Sequence, residues 1–283
     1  MTFSVNTNVG AMVALQNLSS TQSELMTTQN RVNTGLKVAS AKDNAAVWAI
    51  AQNQRATSSS LNSVIESLQR GQSTVDVALS AGNSVSDLLL QMKEKALAAA
   101  DTTLDTNSRN ALNSEFQSLR DQINKTVSNA NFNGGNMLLG TSNGLGSATT
   151  VKALANADAT SVITVQAQDL SLGGTALTSN IGTTSTIGTV TTATNMIGYL
   201  NTAIANVSAA LGKLGTGDKA LASHLDFIGK LQNTIDAGIG NLVDADLAKE
   251  SANLQALQTK QQLGIQALSI ANQSSSILLG LFR

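Results

Sequence analysis

The sequence predicts a mainly α protein, a long antiparallel helical coiled-coil bundle with a small β-hairpin insert. Apolar and small side chains recur at alternating steps of three and four over most of the chain, the period of a helix with one packed stripe. The chain has no proline, where about 5% would be average, so long helices run without kinks. Between about 131 and 188 the texture turns to Gly, Thr and Ser with Asn-Gly turn signals, and a period-two run appears.

The first amphipathic segment spans 4–36, with Ala11, Leu15, Leu18, Gln22, Leu25, Gln29, Val32 and Leu36 on its stripe. Glu24 is the only charged side chain among residues 1–30, and Gly35 is expected to end the segment in the left-handed conformation. Ser40-x-x-Asp43 reads as a capping box opening the next helix, in which Trp48 serves as a packing anchor. A third stripe runs through Leu61, Ile65, Leu68, Gln72, Val75, Leu79, Gly82, Ser86, Leu89, Lys93, Ala96 and Ala100. After a turn at 101–106, a helix from Asn107 to Asn129 presents Leu112, Phe116, Leu119 and Ile123.

In the insert, 137–188, the alternation from Val162 to Ala167 reads as a strand, with disorder of this low-complexity stretch as the alternative. Helix is expected again from Thr191 to about Gly212. A Gly-rich corner at 212–218 then leads to a new helix with Asp218 as N-cap.

The last stretch, Leu247–Arg283, carries one row through Leu247, Leu254, Gln261, Leu268, Ser275 and Phe282. A second row runs through Ser251, Gln258, Ile265, Asn272 and Leu279. Half of this seam is polar, so the helix needs a partner, and the first segment matches it in seam polarity and scarcity of charge. An ordinary unpaired helix is the alternative. The residues expected to form the terminal-helix and subunit interface are Ala11, Leu15, Leu18, Leu25, Val32, Leu254, Ile265, Leu268, Leu279 and Phe282. Asp244, Asp246 and Glu250 are expected to mark the approach to the last helix and to oppose no basic cluster.

No catalytic, metal or cofactor site is assigned. Net charge is −1, which points to neither nucleic acid nor an anionic membrane as partner. There is no cysteine, and His224 is the only histidine, which removes thiolate and His-rich metal sites. Asp218 stands where a phosphate loop over 212–219 would need Lys. Charged residues are only 12%, against about 25% in typical soluble domains, and such a surface suits repeated contact with copies of itself. Neither a secretory signal peptide nor an apolar run of about 20 residues is visible, so if the chain leaves the cell it does so by a route that reads no cleaved signal.

Four separated stretches carry a resemblance: VNTNVGAMVALQNL (5–18), RVNTGLKVASAKDNAAVWAIA (31–51), NFNGGNMLLG (131–140) and ANQSSSILLGLFR (271–283). In type, order and spacing they resemble bacterial flagellin, in its short alphaproteobacterial form. The resemblance implies a structural subunit that polymerises into the helical flagellar filament for swimming motility. It implies no enzyme activity and no cofactor. Residues 1–36 and 250–283 would pair as the inner filament core, and 37–249, with the insert, would form the outer rod-like domain. Export would be unfolded, through the flagellar type III apparatus, with assembly at the filament tip outside the cell. The implied partners are further copies of the chain, other flagellin paralogues, hook-associated and cap proteins and an export chaperone. The chain departs from the family in its small insert and in Ser274-Ser275-Ser276, where the family often has proline. A hook–filament junction protein, a secreted enzyme on a flagellin-like scaffold and a generic coiled-coil adaptor are the alternatives.

Overall fold

A computed structural model describes residues 7–140, 148–178 and 180–280, with side chains as far as 273. Its elements, in chain order, are α1 (Val9–Thr34), α2 (Ala45–Ala99), α3 (Thr106–Asn129), β1 (Val151–Leu154), β2 (Val162–Val165), α4 (Val190–Val243) and α5 (Leu247–Gly280). This is the mainly α, hairpin-bearing fold that the periodicity predicts. Its contacts divide into two compact units, Met1–Ala56 with Asn233–Arg283, and Thr57–Gln232.

In the first unit, Asn8 caps α1 by accepting the Ala11 N–H at 3.0 Å. Gly35 closes the helix at φ 69°, its N–H donating to the Arg31 carbonyl. The two connecting segments are then stitched together. Lys37 and Val38 both donate to the Val243 carbonyl, Ala245 donates to that of Gly35, and Leu36 and Asp244 pair as an isolated antiparallel bridge. Asp43 accepts from the N–H groups of Ala39 and Ser40 and the Ser40 hydroxyl, and the Ser40 bonds hold its carboxyl below the usual range. These residues form a turn ahead of α2 rather than its cap. The cap is Asn44, whose side-chain oxygen accepts the Val47 N–H at 3.1 Å.

Trp48 anchors locally, packing with Leu36, Val47, Ile235 and Leu242 around buried Val38, Ala51, Ile239 and Val243. These core residues all belong to the same compact unit as the terminal helices. The division by contacts falls at 56/57 and 232/233.

In the second unit, α2 buries Leu61, Leu68, Val75, Leu89 and Ala96 on one row and Val64, Ala78, Val85, Met92 and Ala99 on the other. α3 buries Phe116, Ile123 and Val127, and α4, which approaches α2 with Leu211 beside Gly82 and Leu221 beside Gly71, carries a long buried row of its own. Asp105 caps α3 through the Ser108 N–H, and Arg109 fastens the turn before it by donating to the carbonyls of Ala99, Asp101 and Leu104. Bonds from Thr103 to Asp101 and from Ser108 to Asp105 hold both carboxyls below the usual range.

The Gly-rich corner expected at 212–218 is absent, because α4 continues through it. Met196, Leu200, Ala203, Val207, Ala210, Leu214, Leu221 and Ile228 form one buried row on both sides of it. Burying each large member contributes about 1.5–3 kcal/mol, which outweighs about 1 kcal/mol for each helical glycine. At Gly217 the missing side chain leaves room for Val165 of β2. Asp218 is therefore no cap. It lies close enough to Asp76 to add to the effect of burial, and together they push that carboxyl up.

The described residues of the insert contain a hairpin. The strand read at 162–167 is β2, at 162–165, and it pairs antiparallel with β1, which the sequence reading does not assign; Val151 faces Val165 and Leu154 faces Val162. Gly71 lets α2 approach, since a Cβ there would lie 3.1 Å from Val151 and 3.3 Å from Ala153. Leu154 donates its N–H to Ser67 Oγ of α2. Beside the hairpin, Leu138, Leu170, Leu172, Leu177 and Ile181 are fully buried.

Buried Asn136 joins the end of α3 to the insert, donating to the Val127 carbonyl at 2.7 Å and accepting from the Leu138 N–H at 2.8 Å. Asn136→Leu would leave the buried Leu138 N–H without this acceptor and the Val127 carbonyl with only a long bond from the Ala130 N–H, at 3.4 Å. It is expected to lower unfolding free energy by about 1–3 kcal/mol, read as a shifted urea midpoint with an unchanged slope.

Candidate assembly interface

The terminal helices α1 and α5 lie antiparallel. Asn8 donates to the Ala271 carbonyl at 2.8 Å near one end, Gln22 and Gln261 bond side chain to side chain in the middle, and Arg31 meets Glu250 at 3.2 Å near the other. A Lys260–Glu24 pair at 3.9 Å is largely exposed and contributes little.

The seam on α1 is made by Ala11, Ala14, Leu18, Thr21, Leu25, Thr28 and Val32, all buried or half-buried. On α5 it is made by Glu250, Leu254, Leu257, Gln261, Gly264, Leu268 and Ala271. The helices approach closely where these side chains are small. A Cβ on Gly264 would stand 3.3 Å from Leu18 Cδ1, and Ala271 faces Gly10.

Of the interface residues read from the sequence, Ala11, Leu18, Leu25, Val32, Leu254 and Leu268 thus lie in this seam. Leu15 and Ile265 do not; they are 58% and 54% exposed. The second row runs three residues after the first, through Ala14, Thr21 and Thr28, rather than four after it through Leu15, Gln22 and Gln29. On α5, likewise, Leu257, Gly264 and Ala271 take the places expected of Gln258, Ile265 and Asn272. The Leu279 side chain and Phe282 lie outside the described residues.

The sequence reading sets Glu250 against no basic cluster; in the structure it is buried against a single arginine, Arg31, their side chains being 11% and 35% exposed. No charge pattern within either segment signals this pair, since its members lie 219 positions apart. Neighbouring Asp246 has its expected place at the head of α5, accepting the N–H groups of Ala248 and Lys249. Glu250→Gln would deprive half-buried Arg31 of its ion-pair partner. A fully buried pair broken this way loses about 3–5 kcal/mol, and because Arg31 keeps partial access to water about 1–2 kcal/mol is expected here. Thermal melting followed by helix content measures it.

Outside the seam the same two helices expose large apolar side chains. Val9, Met12, Val13 and Leu15 line an open hollow of about 600 Å³ on α1. On α5, Leu263, Ile265 and Ile270 are all more than half exposed. Apolar side chains grouped in this way mark an interaction surface. Among the described residues no group of His, Cys, Asp and Glu could hold a metal ion, and His224 binds the Ala155 carbonyl at the hairpin turn. No helix among them is long and apolar enough to cross a membrane.

Such an arrangement defines a helical subunit that completes its packing against other chains. Family comparison gives the class its name. Residues 5–143 match the bacterial flagellin N-terminal helical region and residues 197–282 the bacterial flagellin C-terminal helical region. The chain is similar to flagellin FljK of Caulobacter vibrioides, 60% identical over 99% of this chain and 98% of that one. It is also similar to a flagellin of Brucella melitensis, 37% identical over 99% of both. A solved structure of a putative flagellar hook-associated protein from Vibrio parahaemolyticus shares the fold, with TM-score 0.58 at 15% identity over 71% of this chain and all of that one. The chain belongs to the bacterial flagellin family. It is a structural subunit of the extracellular flagellar filament, where it assembles with copies of itself and with other flagellins.

Proposed function

We propose that residues 1–36 and 250–283 form the inner core of the filament and that 37–249, including the insert 137–188, form its outer layer. The observation that carries this reading is the antiparallel α1–α5 pair, which approaches closely at small residues in its seam and exposes Leu15, Leu263, Ile265 and Ile270 outside it. Neighbouring copies cover those exposed side chains. A seam containing Thr21, Thr28, Gln261 and a Glu250–Arg31 pair is weak on its own, so the two ends order when assembly buries them. Before that, the chain travels unfolded through the flagellar type III apparatus with an export chaperone, and it joins the filament tip beneath the cap. At its base the filament meets hook-associated proteins. The chain has no catalytic role.

Helical reconstruction of native filaments tests the assignment. Density for α1 and α5 at small radius, with the hairpin at large radius, is expected. Terminal helices on the outer surface would overturn it, as would finding the chain in only a few copies at the hook junction.

A further inference from the structure

A tight turn at the start of the insert carries a chemistry that filament formation does not use. Phe132 and Gly135 exchange N–H···O bonds at 2.9 Å in both directions, with Asn133 at φ 50° and Gly134 at φ 82° between them. Both central residues are left-handed, as a type I′ turn requires, and Asn-Gly is the pair that adopts this at least cost. Both are exposed. Asn-Gly is also the dipeptide most open to loss of the side-chain amide, because glycine puts no side chain in the way of the attacking nitrogen.

The structure places a restraint on that nitrogen. The Gly134 N–H donates to Asn131 Oδ1 at 2.9 Å. We propose that Asn133–Gly134 is a deamidation site and that the Asn131 side chain sets its rate. Hydroxide removes the Gly134 amide proton, and the nitrogen bonds to Asn133 Cγ. The Cγ–NH2 bond breaks, ammonia leaves, and a succinimide remains. Water then adds to one imide carbonyl. Cleavage of the new N–Cγ bond gives an aspartate in place of Asn133, and cleavage of the original peptide C–N bond gives the isoaspartyl linkage.

Ring closure needs a Gly134 nitrogen without its proton and a rotation of the backbone about Asn133. The bond to Asn131 opposes the first, and the paired Phe132–Gly135 bonds oppose the second. Reaction therefore waits on opening of the turn. The product adds a negative charge to the rim of a groove of about 510 Å³, which Arg70 and Lys152 also line. In a long-lived extracellular polymer the modified fraction records subunit age.

The test incubates full-length chain, as free subunit and as filament, in mildly alkaline buffer. Peptide mass spectrometry follows the mass gain at Asn133, and isoaspartyl methylation counts the isomerised fraction. Asn131→Ala is expected to accelerate modification several-fold, with helix content unchanged. Asn131→Asp keeps the acceptor and is expected to stay near the natural rate. The urea-unfolded natural chain supplies the unguarded rate, which keeps the proposal open to refutation even if a variant folds poorly. A native chain that reacts as fast as the unfolded one would overturn the guard, as would Asn131→Ala reacting no faster than the natural chain. A native chain and an unfolded chain that both stay unmodified would overturn the site itself.

Discussion

A chain ending at Ser269 is expected to form no filaments while its central unit stays folded. The cut removes Ala271, whose carbonyl accepts from Asn8 and whose methyl faces Gly10, so the first turns of α1 lose a hydrogen bond and a close contact to α5. It also removes Ile270, at 68% the most exposed of the large apolar side chains described on α5. If a neighbouring subunit buries that side chain, its loss costs about 1.5–3 kcal/mol per contact, roughly a tenfold or greater loss of association at each one. A helix as polar in its seam as α1 is marginal without its partner. The unit spanning Thr57–Gln232 keeps its own core, with Leu61, Leu89, Phe116 and Leu214 all within 1% of full burial, and needs nothing from the tail. Electron microscopy of secreted protein and sedimentation of the purified chain should therefore show subunits only. The circular dichroism melt of the central unit should match that of the full chain. Filaments of normal length from the truncated chain would remove the role given to the tail.

How far the fold is legible follows one physical rule. Helix positions, the Gly35 cap and strand β2 can be read because period, turn chemistry and burial agree there. The second row of each seam reads one residue too far along, and in the same direction in α1, α2 and α5. On α2 the buried row is Val64, Ala78, Val85, Met92 and Ala99, where the spacing favours Ile65, Leu79, Ser86, Lys93 and Ala100. A step of four and a step of three fit the period equally well, and the larger neighbour tips the choice at Leu15 over Ala14, Leu79 over Ala78 and Ile265 over Gly264. At Ala14 and Gly264 the terminal helices pack through the smaller one, since Ala and Gly let helix backbones come close. Size does not account for every position, because Leu257 takes the place expected of Gln258. The Gly-rich corner misleads in a related way. Local propensity favours a break at 212–218, but a helix with Leu214 and Leu221 both buried gains more from continuing. The Arg31–Glu250 pair leaves no local trace at all, because it exists only once the two ends of the chain meet.

The displaced row has a consequence for assembly. Leu15 and Ile265 have heptad spacing but lie outside the seam, and the proposed assembly gives their hydrophobicity a use, as a surface that another copy covers. Leu15→Glu and Ile265→Glu should then separate folding from assembly. As surface substitutions in the subunit, each should change unfolding free energy by no more than about 0.5 kcal/mol. In the filament each would place an unpaired carboxylate in an apolar contact, which costs several kcal/mol, so polymer should be undetectable at concentrations where the natural chain assembles. Leu25→Ala makes the contrast, since Leu25 is 5% exposed and lies in the α1–α5 seam. It should cost about 2–5 kcal/mol wherever that pair is formed, and the filaments that do assemble should melt at lower temperature. Critical concentrations measured by sedimentation for the three variants decide the matter. If Leu15→Glu and Ile265→Glu assemble at the natural critical concentration, Leu15 and Ile265 are not subunit contacts, and assembly would rest on other exposed faces, such as those of Val13, Leu263 and Ile270.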